Sequence, residues 1–322
     1  MTPAPELVER FRRELSALVP ADARIGVAVS GGPDSMALLL LAAAARPGSV
    51  EAATVDHALR AESRSEAEMV AAACERLGVP HRILTADWAE KPRTAIQEQA
   101  RAMRYRLLRR WGEERGLGAL LVAHHLDDQA ETLLMRLARG AGVKGLAGMR
   151  PVARSAAGGV PLVRPLLGWR HSELEAVCAA AGVKPAQDAS NEDERFERVR
   201  VRNQLAGSDW LDPGAVAASA AHLAQADSAL HWATTLEWNR AVSQKNGVIL
   251  YTPTDAPREI RRRIVRRAIL RLANEGAGAE PRGRELDQLL AALAGGRSVT
   301  LRGVLCTGGD EWRFTLAPPR KS

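Results

Sequence analysis

The chain predicts an α/β fold in which a parallel sheet carries helices on both faces, followed by a smaller, mainly helical C-terminal part. Two observations carry this expectation. Short apolar runs (Ile25–Val29, Ala52–Val55, Arg82–Leu84, Ala119–Ala123) alternate with segments of helical periodicity, the pattern of repeated βαβ units. Beyond about residue 208 that alternation stops, and long helical stretches take over. With 322 residues, the chain has room for two domains, which we expect at 1–208 and 209–322.

From the N-terminus, Leu7, Phe11, Leu15 and Leu18 lie at helical spacing, so an amphipathic helix runs over Glu6–Val19 and ends at Pro20. Ile25–Val29 is a strand that enters Ser30-Gly31-Gly32-Pro33-Asp34-Ser35 and leaves as the apolar helix Met36–Ala45. A second strand and helix follow at Ala52–Val55 and Glu66–Leu77, the helix closed by Gly78 and Pro80, and a third strand at Arg82–Leu84. A helix from about Thr94 through Trp111 leads to strand Ala119–Ala123, after which come helices Asp128–Arg139 and Glu173–Ala181. Gly140–Gly148 and Ser155–Gly159 read as loops, and the polar stretch Gln187–Leu205 as the edge of the first domain.

In the C-terminal part, Ala215–Val242 is Ala-rich, with Val216, Leu223 and Leu230 seven apart. Three heptads are too few for a coiled coil, so ordinary core packing is the reading of that stripe. Arg258–Leu272 and Arg284–Leu293 are helices, and Ser298–Leu316 reads as a small hairpin.

Composition excludes several classes. A chain that is 46% hydrophobic and 26% charged buries a core and is neither fibrous nor disordered. No apolar run approaches the ~20 residues that cross a bilayer, so no membrane span and a cytoplasmic location are expected. Cys74, Cys178 and Cys306 are too scattered for a disulfide framework or a metal-ligand spacing. A net charge of +7 favours a polyanionic partner, although an Arg- and Ala-rich proteome explains much of it.

The chemistry concentrates at two strand ends. In the Ser30–Ser35 loop, glycines admit a close backbone approach to an anion, and the next helix offers unpaired N–H groups and a positive dipole end. The loop lacks the Lys of a Walker A loop and the spacing of a dinucleotide fingerprint. Asp34 would repel phosphates unless a divalent cation lay between them, which implicates Mg²⁺. The second cluster, His124-His125-Leu126-Asp127-Asp128-Gln129-Ala130-Glu131-Thr132, again opens a helix, and both clusters should face one crevice at the carboxyl ends of the strands. Asp128 with Glu131 three residues on is equally a helix cap.

Ser30-Gly31-Gly32-Pro33-Asp34-Ser35 resembles the signature of the PP-loop (ATP-pyrophosphatase) superfamily, which implies a Rossmann-like sheet and cleavage of ATP to AMP and pyrophosphate. Further pieces are similar to the tRNA(Ile)-lysidine synthetase family: the His124–Thr132 cluster, Gly140-Ala141-Gly142-Val143-Lys144-Gly145-Leu146-Ala147-Gly148-Met149, Val55–Arg60, Ala100–Tyr105 and Asp188–Asp193. They cover residues 25 to about 205, and the C-terminal part resembles that family's small tRNA-contacting domain only faintly. One departure is that Arg198 and Arg202 align with the family's arginines while its Asn is replaced by Val199. The chain's end at Ser322 leads us to expect that a further C-terminal domain of longer members is absent.

The resemblance implies that lysine is joined to C2 of the wobble cytidine of a tRNA(Ile) with a CAU anticodon, through an adenylated cytidine. Substrates would be ATP with Mg²⁺, free L-lysine and the tRNA, with homodimer formation left open. Ser30, Gly31, Gly32, Pro33, Asp34, Ser35, His57 and Arg101 would line the nucleotide, although His57 reads equally as a satisfied loop histidine. Asp34 and Asp127 would hold the metal, and Asp127, Asp128 or Glu131 would receive the lysine amine. Arg198 and Arg202, with Arg262 and Arg266 from a helix bearing seven arginines and only Glu259 among them, would face tRNA. Cytidine 2-thiolation is the rival reading, and it would need paired cysteines that the chain lacks.

Overall fold

The computed structural model describes residues 2–57, 62–88, 96–154, 158–186, 195–273 and 281–318. Residues 58–60 and 188–193, which carry two of the family resemblances, lie outside that description. Its contacts divide the chain into two compact units, Met1–Ala224 and Gln225–Ser322.

In the first unit, helix α1 (Pro5–Ser16) buries Val8, Phe11 and Leu15. Strand β1 (Ile25–Ala28) runs into α2 (Pro33–Ala45), and β2 (Val50–Asp56) into α3 (Glu62–Leu77). Next come β3 (His81–Thr85), α4 (Ile96–Glu114), β4 (Ala119–Leu121), α5 (Leu126–Ala138) and the single turn α6 (Val143–Leu146). The short strands β5 (Val152–Ala153) and β6 (Leu162–Val163), then α7 (His171–Ala180), α8 (Glu197–Ala206) and the long α9 (Pro213–Ala241), complete the series. The sheet order is β3-β2-β1-β4-β6-β5, parallel except for the antiparallel edge strand β5.

Side chains alternate across a strand, so neighbouring residues feed opposite layers. Ala52 and Leu121 pack into the main core with α1, α2, α3 and α7, while Ala53 and Leu120 meet Leu108 and Trp111 of α4 on the other face. Helix α2 is apolar on every side and is buried accordingly, which places it at the centre of the helical layer. At the position of β1 under Trp111 of α4 only glycine fits, because a Cβ on Gly26 would come 2.6 Å from Leu117 and 2.7 Å from Trp111. The first turns of α9 bury Val216 and Ala220 with Ala130, Leu133 and Leu205.

The second unit holds the end of α9, β7 (Val242–Lys245), β8 (Val248–Tyr251), α10 (Arg258–Leu272), α11 (Gly283–Ala294), β9 (Ser298–Leu301), β10 (Val304–Thr307) and β11 (Trp312–Leu316). Its strands form one antiparallel sheet in the order β7-β8-β11-β10-β9. This is more sheet than the small hairpin expected from Ser298–Leu316. Ser298–Leu316 folds as a three-stranded meander, β9 to β11, and β7 and β8 add two more strands, joined by Asn246 (φ 49°) and Gly247 (φ 73°), a pair of left-handed residues that makes a tight hairpin. Ile249, Tyr251, Ile264, Ile269, Leu286, Trp312 and Phe314 form the core of this unit.

Candidate active site

The site lies where the strand order reverses. Chain connectivity moves outward from β1 to β2 and β3, then returns to β4 beside β1, so the loops after β1 and β4 diverge and leave a crevice at their carboxyl ends. The first loop is the Ser30–Ser35 turn, and the second begins at His124.

The turn is pinned from behind. Gly31 has φ +93°, a conformation that side chains with a Cβ rarely adopt, and its carbonyl accepts from Ala186 N at 3.0 Å. The Gly32 carbonyl accepts from Ser35 Oγ at 3.0 Å and from Met36 N at 3.0 Å, and Cys178 Sγ contacts the Pro33 carbonyl at 3.3 Å. Ser35 Oγ also accepts from Ser30 N and meets Ser30 Oγ, both at 3.1 Å. Pro33, which carries no N–H, and Asp34 begin α2, and the Asp34 and Ser35 N–H groups have no carbonyl partner inside the helix.

Asp34 is half-buried, and its oxygens meet two imidazoles: His171 Nδ1 at 2.7 Å and His125 Nε2 at 3.6 Å. His125 also lies 3.3 Å from Asp127 Oδ2 and 3.6 Å from Asp128 Oδ2, so three carboxylates converge on one buried ring. Asp127 Oδ2 accepts from His171 N at 2.8 Å, and Arg170 reaches its other oxygen at 3.5 Å. Burial raises the Asp34 carboxyl, but the hydrogen bonds and charges of His125 and His171 outweigh it and hold the group well below the usual range. In Asp127 burial is outweighed by His125, the His171 amide and Arg170, which bring it to about 2. Burial disfavours the charged form of His125, yet Asp127, Asp34 and Asp128 lift it to about 10. Its neighbour His124 is pushed down to about 4, by burial first and then by Arg164, Arg101 and Arg198 against the pull of Asp128.

Deeper in α5, Glu131 is 1% exposed. Arg202 Nε donates to its Oε1 at 2.7 Å; Arg198 Nε stands 2.9 Å from Oε2, an ion pair off the hydrogen-bond line. Arg198 also donates to Thr132 Oγ1 at 3.0 Å. These two arginines, expected at an RNA surface, therefore clamp an acid of the crevice. Asp128 takes the third helical position behind His125 and accepts from its N–H at 3.1 Å, so the cap is the His125–Asp128 pair and not Asp128 with Glu131.

Of the other expected residues, His57 sits just past β2, with its carbonyl accepting from Trp88 Nε1 at 2.8 Å. Arg101, exposed on α4, lies over the Tyr105 ring at 5.0 Å. Arg262 is matched by Glu259 and Asp287, each at 3.4 Å, and Arg263 beside Arg266 is held by Asp227 and Glu259, each at 2.8 Å. The arginine helix therefore faces acids from other elements as well as its own Glu259. His171 and Arg170 are the functional residues that sequence reasoning missed. Both follow β6, a strand of two residues too short to show alternation.

A glycine turn, an acid at the start of a buried helix and a second acidic helix start beside it, on a 3-2-1-4 parallel sheet, define a nucleotide-binding enzyme of the ATP-pyrophosphatase kind. A family model described as PP-loop domain matches residues 7–208. A tRNA(Ile)-lysidine synthase of Novosphingobium aromaticivorans is 46% identical over 97% of this chain and 94% of its own length. A tRNA(Ile)-lysidine synthase of Zymomonas mobilis is 42% identical over 94% of the chain and 91% of its own. The chain belongs to the PP-loop family and, within it, to the tRNA(Ile)-lysidine synthases. Among solved structures, the U34-tRNA thiolase NcsA of Methanococcus maripaludis with its [4Fe-4S] cluster shares the fold, with a TM-score of 0.56 at 17% identity over 70% of this chain and 78% of that one.

Proposed function

We propose that the chain ligates lysine to C2 of the wobble cytidine of tRNA(Ile) bearing a CAU anticodon, using ATP and passing through an adenylated cytidine, to give lysidine. The observation that carries this reading is the convergence of Asp34, from the loop after β1, with Asp127 and Asp128, from the loop after β4, on one crevice beside an anion-binding helix start. Binding phosphate alone would not call for those acids.

The residues divide the work by position. The Ser30–Ser35 turn and the first amides of α2 receive the triphosphate, with Ser30 and Ser35 as hydroxyl donors. The carboxylates gathered around His125 are oxygen donors that suit a hard dication, so Asp34 and Asp127 would hold Mg²⁺. Bound there, that ion would neutralise charge on the polyphosphate. Asp128, and Glu131 one turn deeper, offer carboxylates to the lysine ammonium, and Glu131, once released from its guanidiniums, can take the proton that makes the amine a nucleophile. His124, held neutral by burial and nearby arginines, accepts from Arg164 Nε at its Nδ1 (3.3 Å), so its Nε2–H is the donor it can offer in the same cleft. The target base must leave its stack to reach the crevice.

Thiolation finds no support in the cysteines, since Cys74, Cys178 and Cys306 are all buried and free, with thiols pushed by burial to about 12, 11 and 12. Among the described residues no helix is long and apolar enough to cross a membrane.

Incubation with labelled lysine, ATP and tRNA(Ile) transcript tests the proposal. Label should enter the RNA with release of AMP and pyrophosphate, and should fail to enter a transcript whose wobble base is not cytidine. Pyrophosphate release that ignores both lysine and tRNA would refute it.

A further inference from the structure

Two imidazoles in the crevice have no assigned part in the reaction, and their arrangement is that of a metal centre of another kind. His171 Nδ1 stands 2.7 Å from Asp34 Oδ1 and His125 Nε2 stands 3.6 Å from Asp34 Oδ2, with one donor atom from each of the three residues within 4.8 Å of the others. A tetrahedral ion with bonds of about 2.0–2.1 Å spaces its ligand atoms about 3.4 Å apart, so these donors already approach the edges of such a tetrahedron.

The far side of each ring gives a second, independent indication. His171 Nε2 has Glu175 Oε1 behind it at 3.4 Å, and the buried His125 Nδ1 has Asp127 Oδ2 at 3.3 Å, an ion-pair contact off the hydrogen-bond line. A carboxylate behind the outer ring nitrogen fixes tautomer and orientation, and is the usual support of a metal-binding imidazole. A plain ion pair needs one carboxylate per imidazolium. Two rings, each with one nitrogen turned to a shared acid and the other braced, match borderline cations and not Mg²⁺, which prefers oxygen alone.

We propose that the nucleotide-free protein binds one Zn²⁺-class cation through Asp34, His125 and His171, leaving a fourth position open, and that this ion excludes Mg–ATP because Asp34 cannot serve both. Binding of the ion stands apart from the ligase reading, whereas the competition rests on it.

Co²⁺ titrated into the untagged full chain without nucleotide provides the test. One equivalent should produce the visible absorption of four- or five-coordinate cobalt, and equimolar Zn²⁺ should bleach it. His171→Ala should abolish the band, with far-UV circular dichroism showing that the variant folds. Glu175→Gln alters only the brace at a 58% exposed side chain and should weaken cobalt binding about tenfold. Absence of a band, or a band unchanged in His171→Ala, overturns the site, and the cluster is then an imidazolium–carboxylate network only. A band that persists through saturating Mg–ATP overturns the competition. Failure of lysine incorporation would leave the cobalt spectrum unaltered, so the two readings fail separately.

Discussion

The clamp on Glu131 predicts an asymmetry between its two sides. The Glu131 side chain is 2% exposed, whereas those of Arg198 and Arg202 are 37% and 45% exposed. Replacing the acid in Glu131→Gln leaves two guanidiniums that can turn toward water, and an amide that still accepts from Arg202. The cost should stay near about 1–2 kcal/mol, the scale of a charged hydrogen bond exchanged for a neutral one. Replacing both arginines in Arg198→Met/Arg202→Met strands a carboxylate with no route to solvent, which costs about 3–5 kcal/mol. Arg202 is the aligned donor and Arg198 is not, so Arg202→Met alone should cost more than Arg198→Met alone. Thermal unfolding followed by circular dichroism measures this, at about 2–4 °C per kcal/mol for a unit of this size. Equal losses for Glu131→Gln and the double arginine variant would refute the reasoning, because the buried acid would then not be the group whose pairing matters. A free acid would be expected to protonate, so a double variant that recovers stability at low pH supports the argument further.

Three more outcomes follow from the same geometry. Asp34→Asn keeps the volume of the side chain but removes the charge facing the polyphosphate, and should lower tRNA-dependent pyrophosphate release by at least about a hundredfold, read by a coupled phosphate assay. Gly26→Ala places a methyl group 2.6 Å from Leu117 and 2.7 Å from Trp111, an overpacking of about 1–3 kcal/mol that should lower the melting temperature, while Gly78→Ala should be strained only through its φ of +65°. Tyr251 is held protonated by burial and by its hydrogen bond to Glu237 at 3.0 Å, so its contribution is complete below the unfolded phenol value of about 10 and is lost as pH rises through the higher folded value. In Tyr105→Phe, tyrosinate absorbance at 295 nm should therefore appear together with loss of the second unit's structure; absorbance that rises first would contradict this.

The parallel sheet was legible because its central strands β1 and β4 are apolar on both faces and the loops after them carry glycine and acid. Ile25–Val29 and Ala119–Ala123 stood out as strands, and the Ser30 turn and His124 cluster fell at their carboxyl ends as the alternation required. Pairing hid the rest. Nothing local says that Arg198 and Arg202 will fold back onto Glu131, about seventy residues earlier, or that Asp227 and Asp287 will come among the arginines of α10. Strands β7 and β8 of the second unit's sheet escape for a different reason: they are four residues long, and the Lys245-Asn246-Gly247-Val248 turn, a strong local hairpin signal, lies directly after a long helix. His171 could have been found only by noticing that Val160–Val163 ends at the same edge of the sheet.

The Ser30 turn has the carbonyls of Gly31, Gly32 and Pro33 engaged, by Ala186, by Ser35 and Met36, and by Cys178. A receptor already braced in this way demands little ordering from its guest, so nucleotide capture should show a small entropic cost and little temperature curvature. The same rigidity carries a liability. A substitution at Cys178, buried out of reach of any substrate, should disturb nucleotide handling sooner than it disturbs folding, since the thiol's nearest duty is to the backbone of the socket.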